Sequence, residues 1–246
     1  MRKRGIIPSH FFEHLSCFFP GLLALGVHLL PLNDLDTLGI NVTALADDLL
    51  PDDRQAFADL AQFNLADLHL WAAEGIAQAC YLTYADQPSG LGPEIVRMDV
   101  DPELGALRWI DAMREWKAAQ DGPEWKHTPP GVGEIKPWTG VTAEGLSKGN
   151  PSTSGRDYSI QNTAYYLRPE VRGAKSPRLC MLTMFFFVQT VESFYILWRT
   201  TGDVKWRHRG WDVFQAIQRH TKTDSGYSSV LNVDTAHPTP KDEMPR

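Results

Sequence analysis

The stretch Leu65-Ala-Asp-Leu68-His-Leu-Trp71-Ala72-Ala-Glu-Gly75-Ile76-Ala-Gln-Ala79-Cys80-Tyr-Leu82-Thr83-Tyr-Ala85 sets apolar or small side chains at three- and four-residue spacing, the period of one helix face. It predicts an α-helix over Leu65–Ala85 that buries Leu68, Trp71, Ala72, Gly75, Ile76, Ala79, Cys80, Leu82 and Thr83. Upstream, Leu15, Phe18, Phe19, Leu22, Leu23, Leu25 and Leu29 share the spacing and predict another helix over Phe11–Leu30, kinked at Pro20-Gly21. Between them, Pro31–Gln62 is acidic and turn-rich and reads as a solvated loop with one short helix. Downstream, Pro88–Pro93 is a turn cluster and Glu94–Met98 an alternating, β-prone strand. Asp101–Gly155 is rich in Gly, Pro, Lys and Glu and reads as irregular, with a short helix over Leu107–Ala119. Helices follow at Val191–Thr200 and Val204–His220, where Gly202 ends one and Asp203 caps the next, then a strand at Tyr227–Val233. Helix pairs separated by short strands predict a mainly α fold of α/α hairpins.

The chain has 246 residues, enough for one large domain or two small ones; 43% hydrophobic and 22% charged residues are ordinary for a globular protein. Eight tryptophans are many for this length; such rings stack on sugar faces, and equally fill a bulky core. A net charge of −6 argues against a dedicated nucleic-acid binder. The longest apolar run, Leu179–Val188, is far short of the ~20 residues a membrane-spanning helix needs. Met1-Arg2-Lys3-Arg4 is basic, but Pro8, Ser9, His10, Glu13 and His14 interrupt the apolar stretch after it, making a poor secretory leader. Taken literally that reads as cytosolic. Two features oppose it: Asn41-Val42-Thr43 is an N-glycosylation sequon, and Cys17, Cys80 and Cys180 make an odd count that, in a secreted protein, means one pair and one thiol left over. There is no repeat of fixed period, no Gly-rich phosphate loop and no CxxC metal pattern.

Five stretches carry a family resemblance. His14-Leu-Ser-Cys17-Phe-Phe-Pro20-Gly21 resembles the His-Leu-x-Cys-Phe-x-Pro-Gly element of class I α-1,2-mannosidases, glycoside hydrolase family 47. Gly90-Leu91-Gly92-Pro93-Glu94 is similar to that family's Gly-Leu-x-Pro-Glu turn. Arg168-Pro169-Glu170, joined to Thr190-Val191-Glu192-Ser193, gives Arg-Pro-Glu-Thr-Val-Glu-Ser, its most specific signature. Thr201-Gly202-Asp203 through Ile217, and Gly226-Tyr227-Ser228-Ser229, also resemble the family, in family order.

Residues 171–189 have no place in that signature and read as a translated intron: nineteen codons, or 57 nucleotides. Val171 must be encoded GTN, a GT donor, and Gln189 can be CAG, an AG acceptor. Phe185-Phe186-Phe187 supplies a pyrimidine tract and Leu182-Thr183 can encode CTAAC, a branch-point-like sequence. Excision restores Glu170-Thr190 in frame. The alternative is a genuine loop, which would have little reason to carry so long an apolar run.

The resemblance implies an incomplete (α/α)7 barrel or toroid with short β-hairpins, residues 1–246 forming roughly the second half of one catalytic domain and residues 1–11 being unlike the family. It implies inverting hydrolysis of terminal α-1,2-linked mannose from high-mannose N-glycans, with a carboxylic acid and a water-activating carboxylate ~6.5–9.5 Å apart. Glu170 matches the general base and Glu94 a second catalytic carboxylate; Arg168, Glu192 and His14 match substrate-binding groups. Read without the resemblance, Glu170 is a cap near a helix start, Glu94 a solvated strand residue, and His14 a hydrogen-bonded core histidine. Cys17 and Cys80 match a disulfide joining the family's first two helices, leaving Cys180 inside the insert; the bland reading is two buried thiols. Calcium is the implied cofactor, but its direct Thr ligand, like the family's acid, matches nothing in this chain, so residues 1–246 alone are expected to be inactive and poorly soluble. The full-length protein is expected in the endoplasmic reticulum or Golgi on a membrane anchor. The competing function is a non-hydrolytic, lectin-like relative that escorts misfolded glycoproteins.

Overall fold

A computed structural model describes residues 10–47, 49–99, 108–120, 127–138, 156–167 and 189–241. The fold is mainly α-helical, as predicted. Strand β1 (Phe11–Glu13) leads into a 3-10 turn, His14–Phe18, and only then into helix α1 (Phe19–Leu29). The single helix expected over Phe11–Leu30 is thus three elements. Pro20 lies in the first turn of α1, where its missing N–H has no intrahelical partner to lose, so it starts the helix rather than kinking it.

The burial of α1 also departs from expectation. Its inward side is Pro20, Gly21 and Ala24, while Leu22 is 51% and Leu29 65% exposed, with Leu15, Phe18, Phe19 and Leu25 also turned outward. Small residues win the inner positions because α1 is wedged between α4 (Leu65–Ala85) and α6 (Gln189–Thr201). A Cβ on Gly21 would stand 2.9 Å from Ser193 Oγ and 3.0 Å from Ser193 Cα, so only glycine admits this approach.

The expected loop over Pro31–Gln62 holds more order than the sequence suggested. A 3-10 turn, Leu35–Leu38, ends at Gly39 in the left-handed region (φ 71°). Helix α2 (Val42–Asp47) comes next, with Asn41 Oδ1 accepting the Ala44 N–H at 3.0 Å, and α3 (Pro51–Leu60) opens on a proline.

Helix α4 has the bounds read from the sequence, and Asn64 Oδ1 caps it by accepting the Asp67 N–H at 3.0 Å. Its buried residues are Leu68, Ala73, Ala77, Gln78, Cys80, Thr83 and Tyr84; Trp71, Ala72, Ile76, Ala79 and Leu82 are only half-buried. A single stripe fails because α4 serves two cores. Ala73, Ala77 and Tyr84 join Phe194, Leu197, Trp206, Val213 and Val230 in the main one. Leu68 joins Ile110 and Met113 of α5 (Trp109–Ala118), with Phe63, Trp71 and Trp116 packed around.

Strand β2 (Ile95–Met98) is the centre of an antiparallel sheet, flanked by β1 and by β3 (Tyr158–Asn162). Gly202 (φ 72°) ends α6, and Asp203 Oδ1 caps α7 (Val204–His220) by accepting the Lys205 N–H at 2.9 Å, as read from the sequence. In α7, Trp206 stacks on Phe194 at 5.6 Å, and the buried Arg209 guanidinium lies 4.7 Å from the rings of both Tyr81 and Trp206. The expected strand over Tyr227–Val233 resolves into parts of two small hairpins: β4 (Lys222–Thr223) with β5 (Gly226–Tyr227), and β6 (Ser229–Val230) with β7 (Pro240–Lys241).

Beyond α4, Asp86 accepts the Trp138 N–H at 2.7 Å and the Tyr158 hydroxyl at 3.1 Å beside a cavity of about 330 Å³. Burial pushes its carboxyl above the usual range. Much of Asp101–Gly155 lies outside the described residues. Among the described residues no helix is long and apolar enough to cross a membrane.

Candidate active site

The sheet and the 3-10 turn bring two motif residues together. Glu13 pairs with Ile95, so His14 and Glu94 leave the same end of the β1–β2 pair, and the His14 N–H donates to the Glu94 carbonyl at 2.9 Å. The Glu94 N–H is held by the carbonyls of Asn162 (3.1 Å), the last residue of β3, and Ala164 (2.8 Å), just past it. Glu94 is 7% exposed, so it is no solvated strand residue; the Gly90–Glu94 turn carries it inward. That turn depends on Gly92, whose Cβ would lie 2.6 Å from the Tyr84 ring.

Tyr84 organises the site. Its hydroxyl shares a short hydrogen bond with His14 Nε2 and accepts one from Thr190 Oγ1 at 3.4 Å; Thr190 Oγ1 is also 3.5 Å from His14 Nε2. The Tyr165 ring packs edge-on against both, with centroids 5.7 Å from His14 and 6.2 Å from Tyr84. All four side chains are buried. Desolvation pushes the Tyr84 and Tyr165 phenols well above their usual range, so both stay neutral hydrogen-bonding groups. Buried, paired polar groups of this kind hold a unique arrangement, because leaving one unpaired costs about 1–3 kcal/mol.

Helix α6 adds its first turn. Thr190 and Ser193, three positions apart, face inward; Ser193 Oγ donates to the Cys17 carbonyl at 2.6 Å and accepts the Gly21 N–H at 3.0 Å. Glu192 is half-buried in the same turn, where a carboxylate also complements the helix dipole. Cys17 and Cys80 are disulfide-bonded with Cα atoms 5.9 Å apart, the pairing implied by the resemblance. The bridge ties the 3-10 turn before α1, rather than α1 itself, to α4.

The structure thus brings His14 and Thr190 together, holds Glu94 to His14 through the backbone and Ser193 to the 3-10 turn, and sets Glu192 beside Ser193 in sequence. Arg168 and Glu170, with Val171–Val188 of the insert, lie outside the described residues. Their flanks are described: Leu167 N–H reaches Ser229 Oγ at 3.3 Å, Tyr165 exchanges two 3.0 Å backbone bonds with Val230, and α6 begins at Gln189. Tyr84 and Tyr165 are site residues that no motif in the sequence marked. Tyr84 follows Cys80 by one helical turn, a spacing that could have flagged it; Tyr165 carried no signal. Among the described residues no set of three His, Cys, Asp or Glu converges to hold a metal ion.

Known proteins resemble this chain. The family model Glycosyl hydrolase family 47 matches residues 3–246, a span that includes residues 3–11 and the insert. The chain is 29% identical over 237 residues to the mannosyl-oligosaccharide 1,2-alpha-mannosidase MNS3 of Arabidopsis thaliana, covering 94% of this chain and 26% of that protein. It is 25% identical over 234 residues to the human endoplasmic reticulum mannosyl-oligosaccharide 1,2-alpha-mannosidase, covering 94% and 19%. A solved alpha-1,2-mannosidase from Trichoderma reesei aligns with a TM-score of 0.46 and 20% identity, over 98% of this chain and 32% of that one. The chain thus spans about a quarter or less of the length of these curated relatives. With a match over nearly its whole length, the chain belongs to glycosyl hydrolase family 47.

Proposed function

We propose that this chain is part of an α-1,2-mannosidase that removes terminal α-1,2-linked mannose from high-mannose N-glycans with inversion of configuration. The observation that carries the reading is the buried cluster of His14, Tyr84 and Thr190, with Glu94 bonded to His14 through its backbone carbonyl. Thr190 is the residue the signature sets directly after Glu170.

In this reading Glu170 is the general base that activates water, and Glu94 a second carboxylate of the acid/base set. Inverting hydrolysis needs such groups ~6.5–9.5 Å apart, with a water between base and sugar. Arg168, Glu192 and His14 bind sugar hydroxyls, and the Tyr84 hydroxyl holds the His14 ring in one orientation. The complete enzyme is an (α/α)7 toroid to which these helices contribute one part. Its calcium dependence is a property of that whole enzyme. We place its activity in the endoplasmic reticulum or Golgi, on a membrane anchor carried by the full-length protein.

Residues 171–189 are a translated intron in this reading. Tyr165 and Thr190 both touch Tyr84, a separation that the five residues left after excision, 166–170, are long enough to span.

The test is the complete coding sequence with codons 171–189 removed, assayed on a Man9 glycan. Release of mannose first as the β-anomer, abolished by Glu170→Gln, is expected; residues 1–246 alone are expected to release none. Glycan binding without hydrolysis by the repaired enzyme would favour the lectin-like reading instead. Genomic codons that do not begin GT and end AG would sink the intron assignment.

A further inference from the structure

The sequon Asn41-Val42-Thr43 has no part in the sugar site, and its position in the fold gives it a separate role. Asn41 is exposed, between the Gly39 turn and α2. The chain's other Asn-x-Ser/Thr triplet, Asn150-Pro151-Ser152, is excluded by its proline. The Cys17–Cys80 disulfide is an independent sign of an oxidising compartment, where oligosaccharide transfer to asparagine takes place.

We propose that Asn41 is an N-glycosylation site. This rests on the secretory routing in the proposed function. The Asn41 amide nitrogen attacks the anomeric carbon of a pyrophosphate-linked oligosaccharide lipid. A C–N bond forms, the C–O bond to the pyrophosphate breaks, the lipid pyrophosphate leaves, and the nitrogen gives up one proton. The fold accommodates the product without rearrangement. Asn41 caps α2 through Oδ1, which accepts the Ala44 N–H at 3.0 Å, whereas the glycan is joined through Nδ2. The amide keeps its carbonyl after transfer, so cap and glycan coexist on one side chain. Around it Leu38, Ile40 and Leu45 are all exposed, an apolar surface over which a hydrophilic glycan supplies the missing solvation.

The experiment translates all 246 residues behind a cleavable leader with endoplasmic reticulum microsomes and reads only the protease-protected product. A single upward mobility step is expected. Peptide N-glycosidase should remove it, with conversion of residue 41 to Asp seen by mass spectrometry. Thr43→Ala should lose the step while keeping the cap, and Asn41→Asp should do the same. A protected chain without the step, or a step that survives Thr43→Ala, would overturn the proposal. Because the leader forces entry, a missing glycan cannot be blamed on targeting, and the natural location of the full-length protein is judged separately by fractionation.

Discussion

Replacing Gly21 by alanine tests the packing that places the site. The new Cβ would meet Ser193 Oγ at 2.9 Å, Ser193 Cα at 3.0 Å and Ile196 Cδ1 at 3.2 Å. The second contact is backbone and cannot swing aside, so α1 and α6 must part. Parting them stretches the Ser193 bonds to the Cys17 carbonyl and the Gly21 N–H. Overpacking costs about 1–3 kcal/mol, and leaving a buried polar partner unmatched costs about 1–3 kcal/mol more. Better helix propensity returns at most ~1 kcal/mol. The net expectation is a loss of about 2–4 kcal/mol, a fall in Tm of roughly 5–15 °C for a chain of this size. Gly26, in the same helix, is the control: nothing lies within 4 Å of its Cβ, so Gly26→Ala should stabilise by about 0.5–1 kcal/mol. Urea titration followed by tryptophan fluorescence reports both, since Trp206 is buried beside this packing. A Gly21→Ala midpoint at or above the parent's, or the same sign for both substitutions, would refute the reasoning.

Tyr84→Phe leaves His14 Nε2 and Thr190 Oγ1 without their shared partner and should cost about 1–3 kcal/mol in the same titration. Opening the Cys17–Cys80 bridge with a Cys17→Ser, Cys80→Ser double variant releases a loop of sequence separation 63, worth roughly 4 kcal/mol, measured against the oxidised parent. Leu22→Gln on the outer side of α1 should shift stability by less than ~0.5 kcal/mol and raise soluble yield, whereas Ala24→Gln, on the inward side, should prevent stable folding. Burial, with Arg219 and His237 adding to it, holds the His220 imidazole below its usual range. The unfolded chain therefore takes up its proton first, so this contribution is intact above a pH of about 6.5 and is lost as pH falls toward the lower folded value. His220→Gln should flatten that acid-side decline in stability.

The elements were readable where a local rule acts alone. The α4 bounds follow from an uninterrupted period, and the α6–α7 corner from Gly202 and Asp203. What was not readable is which side of a helix faces in. In α1 the leucines make the stronger stripe, yet Gly21 and Ala24 are buried, because the gap between α4 and α6 admits only small side chains. That gap is set by Ser193, which lies 172 positions from Gly21 in the chain, and no window of sequence contains both. The site divides the same way. His14, Glu94 and Thr190 sit in motifs with recognisable neighbours. Tyr84 and Tyr165 act through tertiary contact alone, so their roles emerge only once β2, α4 and α6 are assembled.

The disulfide stands one turn from the His14–Tyr84 cluster on both of its arms. Cys17 follows His14 by three residues, and Cys80 precedes Tyr84 by four. The covalent bond and the His14–Tyr84 hydrogen bond thus clamp the same two backbone segments at adjacent levels. An unoxidised chain would hold the imidazole against α4 by hydrogen bonds and ring packing, without a covalent tie. Oxidation ties the two segments covalently, so the bridge also sets how closely the His14 imidazole is held to Tyr84.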